Sequence, residues 1–303
     1  MNCGKSIYSR VARVCKNDEG GTHKFSNRWT TFLKSRINCS LPGEYPFYFN
    51  EIQSTTSFFP DSQDNEVLYG VFTTPQNSIL GSAICRISKN DVAISFESEF
   101  KNQEFVNSNW LPLRHSEVPE PRPGRCYNQT TKLPESSLHF IKNHCLVDKA
   151  VPSRPSWPLF VKYGDNEMFT KIALHRHVRD LNGDRYDIIF VGTNRGKVMR
   201  ILVEADNPDI DTSALQEEIQ IFDHTVPVLN LLIVAPEGPE TRLIALSTDS
   251  VKSIPVHTCH KIETCAACTI VSKPYCAWDT LNGECVAHSS MSDKEYLVQD
   301  EVV

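Results

Sequence analysis

One arrangement recurs along this chain and constrains its fold more than any other feature: an apolar strand, a polar turn containing Thr or Gly, then a second apolar strand. It reads EVLYGVFTTPQNSILGSAICRI at 66–87, DIIFVGTNRGKVMRIL at 187–202 and RLIALSTDSVKSIPV at 242–256. β-Branched and aromatic residues dominate these runs, and Gly, Asn, Asp and Thr punctuate them, as antiparallel hairpins require. The first block reads as a further pair, SIYSRVARVC and RWTTFLKSRINC, bridged by the polar loop KNDEGGTHKFSN. More strands are expected at 46–54, 168–178 and 218–234. The Asn182-Gly183 step joins 168–178 to 186–191 with the dipeptide that a tight type I′ hairpin prefers. Repeated short antiparallel sheets without crossover helices predict an all-β protein of propeller type rather than a sandwich, since each propeller sheet buries both faces against its neighbours. About four such sheets are legible, fewer than most propellers need for closure.

Two stretches break the rhythm. Residues 89–145 mix helical and loop signals, including KNDVAISFESEF and the proline-rich EVPEPRPGRC, and are expected to lie outside the propeller as an insertion. Residues 150–160 carry three prolines and read as an extended connector. At about residue 257 the composition changes: five cysteines fall within 27 positions from Cys259 to Cys285, spaced C-x5-C-x2-C-x7-C-x8-C, and apolar strands disappear. The expected division is therefore 1–257 for the β-sheet domain and 258–303 for a small disulfide-stapled module.

Composition narrows the class of function. A chain that is 40% apolar with a net charge of −6 suits neither disorder nor general nucleic-acid binding. Its 11 cysteines point to an oxidising compartment, and the odd count leaves at least one without a partner in the chain. The start MNCGKSIYSRVARVC has no apolar run that would drive export, and no stretch of about 18 apolar residues occurs. The economical reading is an internal piece of a longer exported protein. Sequons at Asn38 and Asn128 fit that reading.

Candidate chemical motifs mostly reduce to structural ones. Cys265-x2-Cys268 has the spacing of half a zinc site, but no second ligand pair follows and loop-closing bridges fit the pattern better. His175 and His177 would share a strand face where two imidazoles could meet a metal, yet no third ligand stands at a recognisable spacing. Asp180, Asn182, Asp184 and Asp187 imitate a calcium loop in the wrong order, and KNDEGG at 16–21 imitates a phosphate cradle without its Gly-Lys spacing. No nucleophile elbow, HExxH or dinucleotide fingerprint is present, so no metal, cofactor or catalytic set is expected. Two surface features stand apart. Ile79 and Leu80 adjoin the tip of the PQNSIL turn, where they form an interface patch or one of them tucks into a neighbouring sheet. Segment 5–36 carries eight basic residues against Asp18 and Glu19, an asymmetry that could steer an acidic partner or simply line a solvated sheet edge.

The runs SRVARVCKND-x-GG, RWTTFLKSRINCS-x-PGEYPFYFNEIQS, YGVFTTPQNSI-x-GSAIC, NSNWLP, PEPRPGRC, HFIKNH and VGTNRGKV resemble the sema domain of semaphorins, most of all the transmembrane class 1 type of invertebrates. CHKIETCAACTIVSKPYCAWD resembles the plexin–semaphorin–integrin (PSI) module that follows it. The resemblance implies part of a seven-bladed propeller, about blades four to seven with a helical insertion in blade five, then a truncated PSI module. It implies an absent strand for the last blade and hence an open sheet edge. The Met1 start then reads as an incomplete gene model or a partial transcript.

Family-like pairing joins Cys15 to Cys126, Cys39 to Cys85, Cys259 to Cys276 and Cys268 to Cys285. Cys265 is left without its usual later partner, Cys145 departs from the family pattern, and Cys3 becomes the candidate for an interchain bridge, with a Cys3–Cys145 bridge as the competing arrangement. The implied function is that of an extracellular or cell-surface guidance ligand, acting on axons and migrating cells through a plexin receptor of class A type and forming a homodimer. Its membrane span would lie outside this sequence, and no cofactor is implied. Lys142 is the implied plexin contact and Ile79 the implied dimer contact. The alternatives are a plexin-like receptor ectodomain, which the fit of RVARVCKND and NRWTTFLK to the ligand branch disfavours, and a propeller enzyme, for which the turns TTPQN, TNRGK and STDSV supply no converging acids or histidines.

Overall fold

The computed structural model describes residues 7–21, 25–61, 65–106, 108–126, 133–205, 213–235, 241–271, 273–290 and 294–299. Strand β1 (Arg10–Arg13) pairs antiparallel with β2 (Leu33–Arg36), and a two-residue ladder joins β3 (Ser40–Leu41) to β4 (Phe47–Tyr48). In the first large sheet β5 (Glu51–Thr55) and β6 (Phe59–Asp61) both pair with β7 (Asn65–Thr73), which pairs with β8 (Gly81–Ser88). The expected insertion follows as α1 (Lys89–Phe96), a small ladder of β9 (Lys101–Asn102) and β10 (Leu111–Pro112), and α2 (Glu135–Asn143). The chain then returns through β11 (Phe160–Tyr163) to the free side of β8.

The second sheet runs in simple order: β12 (Phe169–Arg179), β13 (Arg185–Thr193), β14 (Lys197–Glu204) and β15 (Ala214–Gln220). A third holds β16 (Asn230–Val234), β17 (Arg242–Leu246) and β18 (Val251–Pro255). The C-terminal module has α3 (Cys265–Val271) against a sheet of β19 (Cys276–Asp279), β20 (Glu284–Ala287) and β21 (Leu297–Val298).

Burial explains why the central strands read as nearly continuous apolar runs. Tyr186 to Thr193 of β13 and all of β8 are buried, because neighbouring sheets cover both faces. One apolar layer joins the first and second sheets through Val67, Val71, Ile84, Ile189, Met199 and Ile201. Polar side chains span the same gap: Lys162 of β11 meets Glu167 at 2.9 Å and Glu218 of β15 at 3.0 Å, while Lys197 of β14 meets Glu218 at 3.1 Å. A second layer runs without a break from β13 and β17 into the C-terminal module, where Ile188 and Leu243 share a core with Cys268, Tyr275 and Cys276. Burying one such aliphatic side chain stabilises the fold by about 1.5–3 kcal/mol, so this shared core couples the two modules.

One turn and one strand face differ from the sequence expectation. The β12–β13 connection is no two-residue type I′ turn, since Gly183 (φ +89°) alone of Asn182 and Gly183 has positive φ. Gly183 N donates to Asp180 O, Asp180 N donates to Asp184 O, and Asp184 N also bonds the Asp180 carboxylate, giving a wider turn closed by Gly183 in the left-handed region. The face shared by His175 and His177 does not form either: the β12 register shifts between His175 and Val178, and His177 takes φ +53°. Among the described residues no group of three His, Cys, Asp or Glu could hold a metal ion. Cys268 is bonded to Cys285, so its sulfur is not a zinc thiolate, while Cys265 carries a free, half-buried thiol.

Candidate interaction surface

The polar loop after β1 is fixed by one buried carboxylate. Asp18 accepts hydrogen bonds from Gly20 N (3.0 Å), Thr30 N (2.9 Å), Thr31 N (2.8 Å) and the hydroxyls of Thr30 (2.9 Å) and Thr31 (2.6 Å). Burial opposes ionisation, but the hydrogen bonds from Thr31, Gly20 and Thr30 outweigh it and hold the carboxyl below its ordinary range. KNDEGG is therefore a staple for the chain's own backbone rather than an anion cradle. Thr31 Oγ1 also accepts from Cys15 N (2.9 Å), and Cys15 is bonded to Cys126 in the insertion.

This staple sets out Asn27, Arg28 and Trp29 on the surface, with Trp29 61% exposed. Facing them is α2. Its Leu138, Phe140 and Ile141 are buried, the last two in a core with Leu33, Phe96, Phe100 and Val147, while Lys142 stands exposed in the final turn, where a cation suits the helix dipole. Arg13 and Arg122 cap that core, stacked on Phe96 at 4.7 Å and on Phe100 at 4.5 Å. Between loop and helix lies a groove of about 420 Å³ walled by Phe25, Arg28, Trp29, Leu138, Ile141 and Lys142, with Cys145 at its end. Its charged residues are Arg28 and Lys142, both exposed, and no carboxylate lines it among the described residues. Such a surface suits a partner offering an apolar knob ringed by acids.

The basic excess of segment 5–36 is only partly available to a partner. Arg36 lies between the rings of Tyr8 and Tyr48 at 4.5 and 4.6 Å, and Arg13 donates to Gly124 O. Lys5 and Lys24 lie outside the described residues. Sequence reasoning singled out Lys142 and missed Trp29; the available signal was a tryptophan at the end of a polar loop, beside an arginine.

Ile79 occupies a separate element, the β7–β8 hairpin tip, closed by Thr74 N to Gly81 O and by Ser78 N to Pro75 O. The side chain of Ile79 is 73% exposed, whereas Leu80 is half-buried. Disulfides join Cys15–Cys126, Cys39–Cys85, Cys259–Cys276 and Cys268–Cys285. Cys145 is free and half-buried, its carbonyl accepting from Lys34 N where the chain leaves α2 to lie beside β2. Asn38 is half-buried with its N–H on Val151 O; Cys3 and Asn128 lie outside the described residues.

Comparison with known proteins agrees with this architecture. The Sema domain family matches residues 52–235 and the Plexin repeat family matches 258–301. Semaphorin-1A of Schistocerca americana is 48% identical over 297 residues, covering 96% of this chain and 41% of that protein. Semaphorin-1A of Drosophila melanogaster is 46% identical over 306 residues, covering 96% of this chain and 34% of that one. Among solved structures, the extracellular domains 1–2 of Drosophila Semaphorin 1a superpose with a TM-score of 0.87 at 46% identity, over 98% of this chain and 60% of that one. A structure of Drosophila Plexin A in complex with Semaphorin 1b matches with a TM-score of 0.86 at 38% identity, over 97% of this chain and 59% of that one. The chain belongs to the semaphorin family. It spans less than half the length of these curated relatives, and its sheets have the propeller-type arrangement of the sema structures it matches. Neither relative's name is that of an enzyme. Among the described residues no helix is long and apolar enough to cross a membrane.

Proposed function

We propose that this chain belongs to the receptor-binding region of an extracellular guidance ligand that engages a plexin and signals in axon guidance and cell migration. The observation that carries the reading is the pre-shaped groove between the Arg28–Trp29 loop and α2, with Lys142 at its rim. The chain's likeness to a semaphorin structure obtained with Plexin A supports the choice of partner. In this reading the residues to 257 supply about blades four to seven of a seven-bladed propeller and 258–303 a PSI module. The plexin is of class A type, and Ile79 contacts a second copy. Cys3 bridges chains, Asn38 and Asn128 carry glycans, and the membrane is reached through a segment outside this chain.

The test is surface binding of wild type and Lys142→Glu to immobilised plexin ectodomain, in the full ectodomain and in residues 1–303. Charge reversal should weaken binding at least about tenfold at unchanged melting temperature. Unchanged affinity would refute the assignment of Lys142, and no binding by either wild-type form to any plexin would refute the partner. Sedimentation of Ile79→Glu tests the dimer contact: wild type should self-associate and the variant should not.

A further inference from the structure

A second cleft lies at the joint between the β-sheets and the C-terminal module, about 340 Å³ in volume, and it has a different character. From β12 it takes His175 and Arg179, from the end of the third sheet His257, and from the C-terminal module His288, Ser289 and Lys294. No carboxylate lines it among the described residues, in a chain whose net charge is −6. We propose that this cleft binds a tetrahedral oxyanion, a sulfate or phosphate group, and that binding strengthens on acidification.

Two histidines of the cleft gather around one aromatic ring. His175 Nδ1 lies 2.7 Å from Tyr275 Oη, and the rings of both His175 and His257 pack on the Tyr275 ring, with centroids 5.7 and 5.6 Å away. His257 Nδ1 lies 3.3 Å from Cys259 Sγ. His288, 7% exposed, lies with Nε2 2.8 Å from Pro274 O, and its ring also contacts the Arg179 backbone and faces the charges of Lys294 and Asp180.

The surroundings of the histidines are asymmetric. Arg200 lies over the Tyr275 ring at 5.9 Å but is paired with Glu217 at 3.2 Å, and Lys273 is paired with Asp180 at 3.1 Å. Behind the cleft, therefore, cations are matched by acids; within it, among the described residues, Arg179 and Lys294 form no ion pair with a carboxylate. Burial and the neighbouring His257 hold His175 below its ordinary value; burial and the Lys294 charge do the same for His288 against the contacts with Pro274 O and the Arg179 backbone and the charge of Asp180. A bound anion would favour the charged form of each ring, so binding takes up protons and tightens as pH falls through the histidine range. Because its walls come from both modules, an occupied cleft would tie them together. Four disulfides place the protein in an oxidising compartment, where sulfated saccharides are the abundant carriers of such a group.

The test is calorimetric titration of the disulfide-intact full chain at fixed ionic strength with three probes: a trisulfated heparin-type disaccharide, its unsulfated counterpart and inorganic phosphate. We expect the sulfated disaccharide or phosphate to bind, about fivefold more tightly near pH ~6 than near pH ~7.5. Which of the two binds more tightly identifies the source of the anion. The unsulfated disaccharide should not bind. Arg179→Gln/Lys294→Gln, both exposed positions, should weaken binding about tenfold or more at unchanged melting temperature, and His257→Gln should flatten the pH trend. Binding of the unsulfated sugar as tightly as the sulfated one, no binding of either anion, or full affinity in the double variant would overturn the proposal. None of these readouts involves plexin.

Discussion

Replacing Asp18 by alanine tests how the groove's loop is held. The carboxylate accepts five hydrogen bonds, three of them from backbone amides that cannot turn elsewhere: Gly20, Thr30 and Thr31. The two threonine hydroxyls can rotate to new acceptors. Leaving a buried amide unpaired costs about 1–2 kcal/mol, and with some relief from entering water the three together should lower local stability by roughly 3 kcal/mol. At about 1.4 kcal/mol per decade, amide exchange at Thr30 and Thr31 should accelerate about 100-fold, read residue by residue by hydrogen exchange. Because the native carboxyl titrates below its unfolded value, its contribution is complete above about pH 4 and disappears as pH falls through the native value. Asp18→Asn should therefore remove the acid limb of the exchange profile while still losing protection, since its amide group presents N–H where acceptors are needed. Exchange at Thr30 and Thr31 within about threefold of wild type in Asp18→Ala would refute the staple.

Removing the Cys15–Cys126 bridge as Cys15→Ser/Cys126→Ser opens a closure spanning 111 residues. The chain-entropy argument predicts a loss of about 4–5 kcal/mol, measurable as a lower urea midpoint. Gly196→Ala should cost at least about 2 kcal/mol in the same assay, because Gly196 has φ +69° and a Cβ there would lie 2.6–2.9 Å from the carbonyl oxygens of Asp223, Phe222 and Val226. Tyr275→Phe keeps the ring but removes the hydroxyl on His175, and should destabilise by about 1 kcal/mol. An unchanged urea midpoint would show that this bond contributes nothing to the joint.

The hairpins were legible because each sheet is buried on both faces, so the strand code was a continuous apolar run bounded by turn residues. Residues 66–87 became β7 and β8, and 187–202 became β13 and β14, with ends shifted by a few residues at most. The insertion was legible as an interruption, though not as the helix that presents Lys142. What failed was local detail that a tertiary contact decides. Asn182-Gly183 carries the I′ signal, but the Asp180 carboxylate captures Asp184 N and stabilises a longer turn. His175 and His177 alternate properly in sequence, yet the bulge after His175 leaves the His177 N–H on the Asp187 carboxylate at 3.1 Å. Asp18 reads in the sequence only as part of a polar loop because its donors, Thr30 and Thr31, stand a dozen residues further on. Trp29 escaped notice for the complementary reason, since an exposed tryptophan has no periodicity to betray it.

A protein that acts by presenting a surface gains affinity by having that surface ordered before the partner arrives. Each rotamer-rich side chain immobilised on binding costs about 0.5–1.5 kcal/mol, and ordering a loop costs more. Here the groove's two walls are fixed by contacts distant in sequence. The Arg28–Trp29 wall hangs from the Asp18 staple, which passes through Thr31 to Cys15 and across the disulfide to the insertion. The α2 wall is held by Phe140 and Ile141 in a core shared with Leu33 of β2. β2 in turn carries Lys34, whose N–H and C=O bond the backbone of Cys145 and Val147 just beyond α2. Loop and helix are thus braced against the same strand, so Lys142 and Trp29 keep their relation without either depending on the hairpin that carries Ile79. It follows that Ile79→Glu should leave the affinity of a single copy for plexin intact, and Lys142→Glu should leave self-association intact. If either substitution changed both properties, the two surfaces would be one.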